Sequence, residues 1–467
     1  MTQLHNLSDL SSLLIEYNVM SQKGTVAFAE KAVIFTLVKH FRTEKNFEEA
    51  LHIVGLALDQ FPDSAEMFAL KASLLIQIEQ DDLALHYIDT ALLFACNDTQ
   101  LLLIKAEILV RNELFEEAEE LLCILKDIAS VREKEMVYLL EARMYELVDD
   151  YGEMFDALAA VLRINPKNQD ALTRIWLATE LSGRYEESIK LHIAITDEEP
   201  YAHLAWHNLG HAYLGVEDYE NATDAYEFAI VSNEEFEFAY RDCGAAYIQT
   251  RNFKQALELY REVEDRFTAD YDVLLKIGYC NQRLGQHTAA VLYYKRSIET
   301  QNHNPEAFFR LGECMALQGD LTSAVLAFSR AIEQDDSYEE FFYALAQVYG
   351  IMGEKEKAAQ AFCRANEIAP ENTEYWIGHA KFYRAQDCLT EALEIIEEAE
   401  MNIGGADILY SRIICLFEMG RRKEAMLCLQ DALCENFNLH KMLFDELPHL
   451  ENDREVLSLI SLCQENF

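Results

Sequence analysis

Small and hydrophobic residues recur along most of the chain with a period of 34 residues, and each period contains two amphipathic helical segments. Eight successive periods, starting at residues 135, 169, 203, 237, 271, 305, 339 and 373, keep this spacing without insertion or deletion. The small position of the second segment is Ala50, Ala84, Ala118, Met154, Ser188, Ala222, Ala256, Ala290, Ala324, Ala358, Ala392 and Ala425, of which ten are alanine. A period of this length predicts an all-α solenoid of about twelve helix-turn-helix repeats, because one repeat alone cannot bury its apolar faces.

The clearest copy of the period runs from His203 to Glu234. Its defining residues are Trp206, Leu209, Gly210, Tyr213, Ala222, Tyr226 and Ala229. They follow the pattern W-x2-L-G-x2-Y and then A-x3-F, with tyrosine in place of phenylalanine. This pattern resembles the tetratricopeptide repeat (TPR) family. The resemblance implies a right-handed superhelix whose first helices line a concave groove, and a function in binding other proteins.

The period defines three regions. Residues 1–30 precede it and are expected to form an N-terminal capping helix through Leu13, Leu14 and Tyr17, with Ser8 or Asp9 as its N-cap. Residues 31–437 form the repeats. Residues 438–467 are expected to form one short and one longer capping helix over the last apolar face. Three departures from the pattern predict local changes in geometry: two extra residues in 126–134, Trp176 at a small position, and a short Gly-rich junction at 402–405, the expected hinge.

The amino-acid composition argues against some classes of function but adds little to the prediction of the fold. The formal net charge of −43 argues against nonspecific binding to nucleic acid or anionic membranes, which requires Lys and Arg. Many acids begin a second helix, where they complement the helix dipole. The eleven Cys show no C-x2-C pair, which favours reduced thiols in a cytoplasmic protein. We find no signal peptide pattern at the start and no apolar run long enough to span a membrane.

In TPR proteins, positions 5, 6, 9, 12 and 13 of each repeat face the groove. In this chain those positions carry eleven bases: Lys39, Arg42, Arg111, Arg143, Arg174, Arg241, Lys276, Arg283, Arg310, Lys381 and Arg384. They carry six acids: Glu107, Glu146, Glu180, Asp242, Glu313 and Glu418. The groove is therefore expected to be positive inside an acidic protein and to bind an acidic segment or a carboxylate. The alternative is that these bases pair with neighbouring acids and only hold the repeats together.

The densest group of groove positions predicts a peptide-binding site in the middle of the chain. Its members are Arg174, His207, Asn208, His211, Arg241, Lys276, Tyr279, Arg283 and Arg310. Some TPR domains bind a chain-terminal carboxylate with a Lys and Asn clamp, but Thr173 and Leu177 stand where that clamp requires Lys and Asn. The resemblance therefore does not extend to that clamp.

Other chemistry has weak support in the sequence. His203, His207 and His211 lie on one helix face at a spacing that could chelate a metal, but the sequence supplies no carboxylate or thiolate to complete the site. Cys280, Cys314 and Cys415 share one position beside the helix crossing and are expected to be packing residues. No phosphate-binding loop or nucleophile elbow is present. We expect no enzyme activity, no metal and no cofactor.

Two hypotheses for function remain open. The first is a non-enzymatic scaffold that binds a peptide segment of a partner protein in the groove. The second is a co-chaperone or assembly factor that holds a basic or unfolded client on its acidic outer surface. They differ in whether the bases of the groove or the acids of the outer surface carry the binding.

Overall fold

A computed structural model describes residues 10–23 and 26–464. The described part of the chain contains 27 α-helices, two short 3₁₀ helices and no β-strand. It divides into two compact units, Met1–Ala239 and Tyr240–Phe467. None of the described helices is long and apolar enough to cross a bilayer.

The first unit contains thirteen described helices, and helix α14 (Glu237–Gln249) crosses the boundary to the second unit. The thirteen helices are α1 Leu10–Gln22, α2 Lys31–Thr43, α3 Phe47–Gln60, α4 Ala65–Gln77, α5 Asp81–Phe94, α6 Thr99–Arg111, α7 Phe115–Ile128, α8 Val131–Leu147, α9 Tyr151–Ile164, α10 Gln169–Ser182, α11 Tyr185–Glu198, α12 His203–Gly215 and α13 Tyr219–Ser232.

The second unit continues the same alternation and ends in a group of shorter helices. Its α-helices are α15 Phe253–Arg266, α16 Tyr271–Arg283, α17 His287–Thr300, α18 Pro305–Leu317, α19 Leu321–Gln334, α20 Glu339–Met352, α21 Lys355–Ile368, α22 Thr373–Ala385, α23 Leu389–Asn402, α24 Ala406–Glu418, α25 Arg422–Glu435, α26 His440–Glu446 and α27 Arg454–Gln464. The two 3₁₀ helices are Phe437–Leu439 and Pro448–Asn452.

The even-numbered helices α2 to α24 are the first helices of twelve repeats, and the odd-numbered helices α3 to α25 are the second. One left-handed residue lies in the turn inside every repeat: Lys45, Glu79, Glu113, Asp149, Gly183, Glu217, Arg251, Gly285, Gly319, Gly353, Asp387 and Gly420. Only five of the twelve are glycine. The residue types in these turns therefore do not reveal that all twelve share the left-handed backbone conformation. The structure confirms the predicted all-α repeat solenoid.

A glycine and an aromatic ring fix the helix crossing in the central repeats. A Cβ atom added to Gly278 would lie 2.6 Å from the ring of Tyr294, and one added to Gly312 would lie 2.7 Å from the ring of Phe328. Gly210 and Gly244 face Tyr226 and Tyr260 in the same way. The ring fills the space that a side chain on the first helix would occupy. Close approach of the helices therefore depends on the absence of a side chain at these positions.

Helix α8 accommodates the two extra residues of 126–134. It begins at Val131, four residues before the predicted repeat start. The Ser130 hydroxyl accepts a hydrogen bond from the Glu133 backbone N–H, and the Glu133 carboxylate accepts one from the Ser130 backbone N–H. This capping box satisfies backbone donors at the helix start. The insertion therefore lengthens a helix and does not form a loop.

The fifth repeat departs from the others, as its sequence predicts. Trp176 remains 44% exposed and does not enter the crossing of α10 with α11. Helix α10 packs instead mainly against α9 and α12. Because an indole ring cannot fit where its neighbours have glycine or alanine, the pair α10 and α11 is only loosely packed.

Terminal helices cover one apolar end of each unit. In the first unit, Leu13 and Tyr17 of α1 are buried against α2 and α3. In the second unit, Leu443, Val456 and Ile460 join the core formed by α24 and α25. The predicted capping helices are therefore present at both ends, while the proposed N-caps Ser8 and Asp9 lie outside the described residues.

Acids in the first turns of second helices account for part of the negative charge. Glu48 and Glu49 begin α3, and Glu116 and Glu117 begin α7. Helix α11 begins in the same way. A carboxylate in the first turn stabilises an exposed helix by about 0.3–1 kcal/mol. This part of the charge has a structural role.

Candidate functional site

In the first unit, the first helices α6, α8 and α10 form a cavity of about 480 Å³. Its lining comprises Gln100, Leu103, Ile104, Glu107, Met136, Leu139, Leu140, Arg143, Glu146, Asp170 and Arg174. Most of these residues occupy positions 5, 6, 9 and 12 of their repeats, and the remainder occupy position 2. Three first helices of this unit thus present the predicted positions to one shared space, which combines an apolar floor with charged side chains.

The two arginines of this cavity differ in their contacts. The Arg174 guanidinium donates to Glu146 at 2.6 Å and lies 3.4 Å from Asp170. Arg143 is exposed and has no ion pair within the described chain. Arg174 therefore holds α10 against α8, whereas Arg143 remains available to a carboxylate of a ligand.

Helix α12 provides an imidazole and aromatic cluster. The ring centroids of His207 and His211 lie 4.5 Å apart, and both rings contact Tyr226. The ring of Trp176 stacks on His211 at 5.9 Å. Partial burial lowers the pKa of His203, the first histidine of the helix. The three histidines thus belong to a packed, half-buried layer of rings.

Asn208 occupies a different environment from the other predicted groove residues. It is buried, and its side-chain amide donates to the Leu172 carbonyl of α10 at 2.8 Å. An amide that satisfies a buried carbonyl contributes to packing between repeats. The structure therefore places Asn208 beneath the surface that it was expected to form.

In the second unit, Lys276, Tyr279 and Arg283 lie on successive turns of α16. The Arg283 guanidinium lies over the ring of Phe253 at 5.1 Å and over the ring of Tyr279 at 5.9 Å. Neither Lys276 nor Arg283 has a carboxylate within ion-pairing distance in the described part of the chain, although the Lys276 ammonium attracts Asp272 on the same helix. Arg283 is exposed and combines an unpaired positive charge with an aromatic surface.

Arg310 and Arg241 of this unit are held by acids. The Arg310 guanidinium lies 5.5 Å from the Tyr279 ring, and it donates to Glu313 at 3.1 Å. Burial opposes its charge, but the adjacent carboxylates hold the pKa of Arg310 above its ordinary value. Arg241 donates to Asp270 at 2.9 Å. Both arginines therefore stabilise the repeats, whereas Arg283 has no acidic partner within the described part of the chain.

The predicted positive excess is smaller than the count of groove positions suggested. Six of the eleven bases form ion pairs: Arg111, Arg174, Arg241, Arg310, Lys381 and Arg384. Several of their partners stand at positions that the count did not include: Asp81, Asp170, Asp270, Glu306 and Glu446. Acids of neighbouring turns and of the capping helices therefore neutralise much of the charge.

Two kinds of site residue were missed in the sequence. The apolar floor of the first-unit cavity, including Leu103 and Leu139, could have been found by reading positions 5 and 6 for hydrophobic as well as charged side chains. Phe253 lies on a second helix and contacts Tyr279 through its ring edge at 6.0 Å. Its contact with the first-helix surface depends on how α15 stacks against α16. The residue spacing within one repeat does not predict this contact.

Several chemically reactive residues are packing elements. Cys280, Cys314 and Cys415 are buried, and burial raises the pKa of each thiol to about 12. At neutral pH they are therefore protonated and poor nucleophiles. His192 is fully buried, as expected from its position on a second helix.

Two family models described as "Tetratricopeptide repeat" match the chain. One covers residues 242–305 and 300–339, and the other covers 203–233 and 339–372. The matches include the central repeats and the residues of α16 discussed above.

Solved structures of repeat proteins are similar to parts of the chain. The structure of YrrB, titled as a TPR protein with an unusual peptide-binding site, is 22% identical, covers 42% of this chain and 97% of its own, and has a TM-score of 0.36. The C-terminal part of a TPR repeat-containing protein from Cytophaga hutchinsonii is 18% identical, with 51% and 98% coverage and a TM-score of 0.43. The APC/C hetero-tetramer Cut9–Hcn1 is 14% identical, with 83% coverage of both chains and a TM-score of 0.39. At these values no ligand can be transferred between the proteins.

Proposed function

We propose that this chain, whose repeats are of the tetratricopeptide type, is a protein interaction scaffold and that its first-helix surface binds a segment of a partner protein that combines large apolar side chains with carboxylates. The observation that carries the proposal is the first-unit cavity of about 480 Å³. An apolar floor there adjoins Arg143, a base without an internal partner. A cavity of this size accepts apolar side chains of a bound segment.

The second unit supports the same ligand chemistry. Arg283 lies over the rings of Tyr279 and Phe253 without an ion pair in the described chain, and Lys276 adds a second positive charge on the same helix. Aromatic rings beside a base contact apolar groups of a ligand, while the guanidinium donates two parallel hydrogen bonds to a carboxylate. Arg174, Arg241 and Arg310 shape the surface through their internal ion pairs. We therefore assign ligand contact to Arg143, Lys276, Tyr279 and Arg283, and a supporting role to the paired arginines.

A peptide selection experiment tests the proposal. The full chain is screened against a random library of displayed twelve-residue peptides, and selected sequences are measured by fluorescence polarisation. We expect enrichment of acidic residues next to aromatic or aliphatic ones, and affinities that fall as salt is raised. Reversing the charge of Lys276 and Arg283 together is expected to weaken binding by about tenfold or more, because each charged hydrogen bond contributes about 1.5–3 kcal/mol.

The Lys295→Glu, Lys355→Glu double variant provides the matched control in the same unit, because it changes the net charge by the same amount. Lys295 and Lys355 are exposed on the second helices α17 and α21 and have no ion pair in the described structure. Selected peptides that bind the Lys276→Glu, Arg283→Glu double variant as well as this control variant would refute the assignment. Selection of basic peptides without any acidic ones, with binding that is insensitive to Glu398→Gln, would favour the second hypothesis, in which the acidic surface holds a client.

A further inference from the structure

A second kind of cavity lies in the second unit between the second helices α21 and α23. It has a volume of about 220 Å³, and its lining includes Cys363, Asn366, Glu367, Trp376, His379 and Glu398. Trp376 and His379 come from the first helix α22, which lies between the other two in the chain. This cavity is separate from the first-helix surface described above, since most of its lining comes from second helices.

Two buried polar side chains lining this cavity have unused hydrogen-bonding atoms. His379 is 0% exposed and Asn366 is 4% exposed. Their side chains contact each other, with Asn366 Nδ2 3.2 Å from His379 Nδ1. Within the described residues, Asn366 Oδ1 and His379 Nε2 have no hydrogen-bond partner. Leaving a buried polar atom unpaired costs about 1–3 kcal/mol, so these atoms indicate a ligand that supplies the missing bonds.

The unused atoms always include an acceptor. If the Asn366 amide donates to His379 Nδ1, then Asn366 Oδ1 is a free acceptor and His379 Nε2 carries the proton. If the amide is flipped and His379 is the other tautomer, then His379 Nε2 is the free acceptor. In both arrangements the pair offers one acceptor and one donor to an occupant.

The charge around the cavity favours a cation. Glu398 is exposed and has no ion pair in the described part of the chain, whereas Glu367 pairs with Arg364 at 2.8 Å. The cavity also lies at the C-terminal ends of α21 and α23, where the helix dipole favours positive charge. Burial lowers the pKa of His379 to about 4, so its ring is neutral at physiological pH and does not repel a cation.

We propose that this cavity binds the arginine side chain of a partner protein segment. The guanidinium donates to the exposed Glu398, and a shift of the side chains that cover Asn366 and His379 brings it to the free acceptor of that pair. A guanidinium is planar, weakly hydrated and able to lie on an aromatic ring, so it suits this site better than an ammonium group. The Trp376 indole N–H donates to the Pro370 carbonyl at 2.9 Å, and its ring therefore serves only as a surface.

The size of the cavity agrees with a single side chain. Its 220 Å³ is far above the roughly 10–15 Å³ that one water molecule needs. It is below the about 300 Å³ at which pockets for drug-sized ligands begin. The cavity thus has room for a guanidinium with its aliphatic stem, which arrives as part of a larger segment.

The test measures binding of a fluorescein-labelled peptide, one arginine in a Gly and Ser background, to the full chain by fluorescence polarisation. The same peptide is made with citrulline, which is neutral and nearly isosteric, and with lysine. Glu398→Gln is the test variant. Glu394→Gln is its matched control, because Glu394 is exposed on the same helix one turn earlier, does not line the cavity and changes the net charge equally.

We expect Glu398→Gln to weaken binding of the arginine peptide by about tenfold, Glu394→Gln to change it by less than about twofold, and citrulline to abolish it. Equal effects of the two variants would overturn the proposal, since they would show attraction to the acidic surface in general. Equal affinity for the lysine peptide would overturn the choice of a guanidinium. Absence of binding at about millimolar peptide would also overturn it. The Lys276→Glu, Arg283→Glu double variant should bind the arginine peptide normally, which separates this proposal from the previous one.

Discussion

The helix crossing of the eighth repeat can be tested by adding one methyl group. In Gly278→Ala the new Cβ atom would lie 2.6 Å from the Tyr294 ring, whereas ordinary contacts lie at 3.4–4 Å. The ring would have to move by about 0.8 Å or more. Tyr294 is fully buried, and its hydroxyl donates to Gln282 Oε1 at 2.6 Å, so the movement also disturbs a hydrogen bond.

The expected magnitude is the difference between two opposing effects. Overpacking a buried site costs about 1–3 kcal/mol. Replacing glycine by alanine within a helix gains about 1 kcal/mol. We therefore expect a net destabilisation of up to about 2 kcal/mol. Gly55→Ala is the matched control, because a Cβ atom at Gly55 in helix α3 would meet nothing within 4 Å, and this variant should be stabilised by about 0.5–1 kcal/mol.

The assay must be local, because a solenoid can open in parts. Amide hydrogen exchange in α16 and α17 reports the free energy of opening at the altered crossing. In a Tyr294→Ala background the clash is absent, so Gly278→Ala should become neutral or stabilising. Stabilisation of Gly278→Ala in the wild-type background, similar to that of Gly55→Ala, would refute the role assigned to the crossing.

Two further predictions concern the turns and a buried histidine. Gly319 has a φ of +83°, so Gly319→Ala should destabilise its repeat by about 1 kcal/mol. Glu217→Gly relieves a φ of +61° at the equivalent turn and should stabilise its repeat by about 0.5–1 kcal/mol. Urea denaturation measures both changes, and effects of the same sign would contradict the prediction. Burial lowers the pKa of His192 to about 4, so between pH 6.5 and 4 the unfolded chain binds a proton that the folded chain does not. Stability should therefore fall with decreasing pH by up to about 1.4 kcal/mol per pH unit from this residue, and His192→Gln should show a shallower decline in melting temperature over that range; an unchanged slope would contradict the assignment.

The sequence determined the repeat fold because each repeat uses the same local chemistry. The spacing of Gly210, Ala222 and Tyr226 recurs every 34 residues, and the predicted starts at 169, 203, 237, 271, 305, 339 and 373 coincide with the starts of α10 to α22. Periodic patterns of this kind specify both helix and neighbour contacts, since each repeat packs mainly on the next. The start of α8 was misplaced because the capping box at Ser130 extends the helix beyond the period.

The sequence could also identify which side chains lie on the first-helix surface, but it could not determine their electrostatic state. Arg174 and Arg143 stand at predicted groove positions, yet only Arg174 is neutralised by acids within 4 Å. That difference arises from acids one repeat or one turn away, whose distance depends on how the helices stack. The same holds for Asn208, which the stacking of α10 on α12 buries.

The cavity lined by Asn366 and His379 shows most clearly what could not be predicted from the sequence. Neither residue follows a motif, and their unused atoms become significant only because α21, α22 and α23 exclude other polar partners from them. The 34-residue period fixed the order and packing of the helices, because it depends on contacts between neighbours in sequence. The cavities and the free charges were decided by the tertiary structure, because burial and ion pairing depend on distances between side chains that the period leaves unspecified.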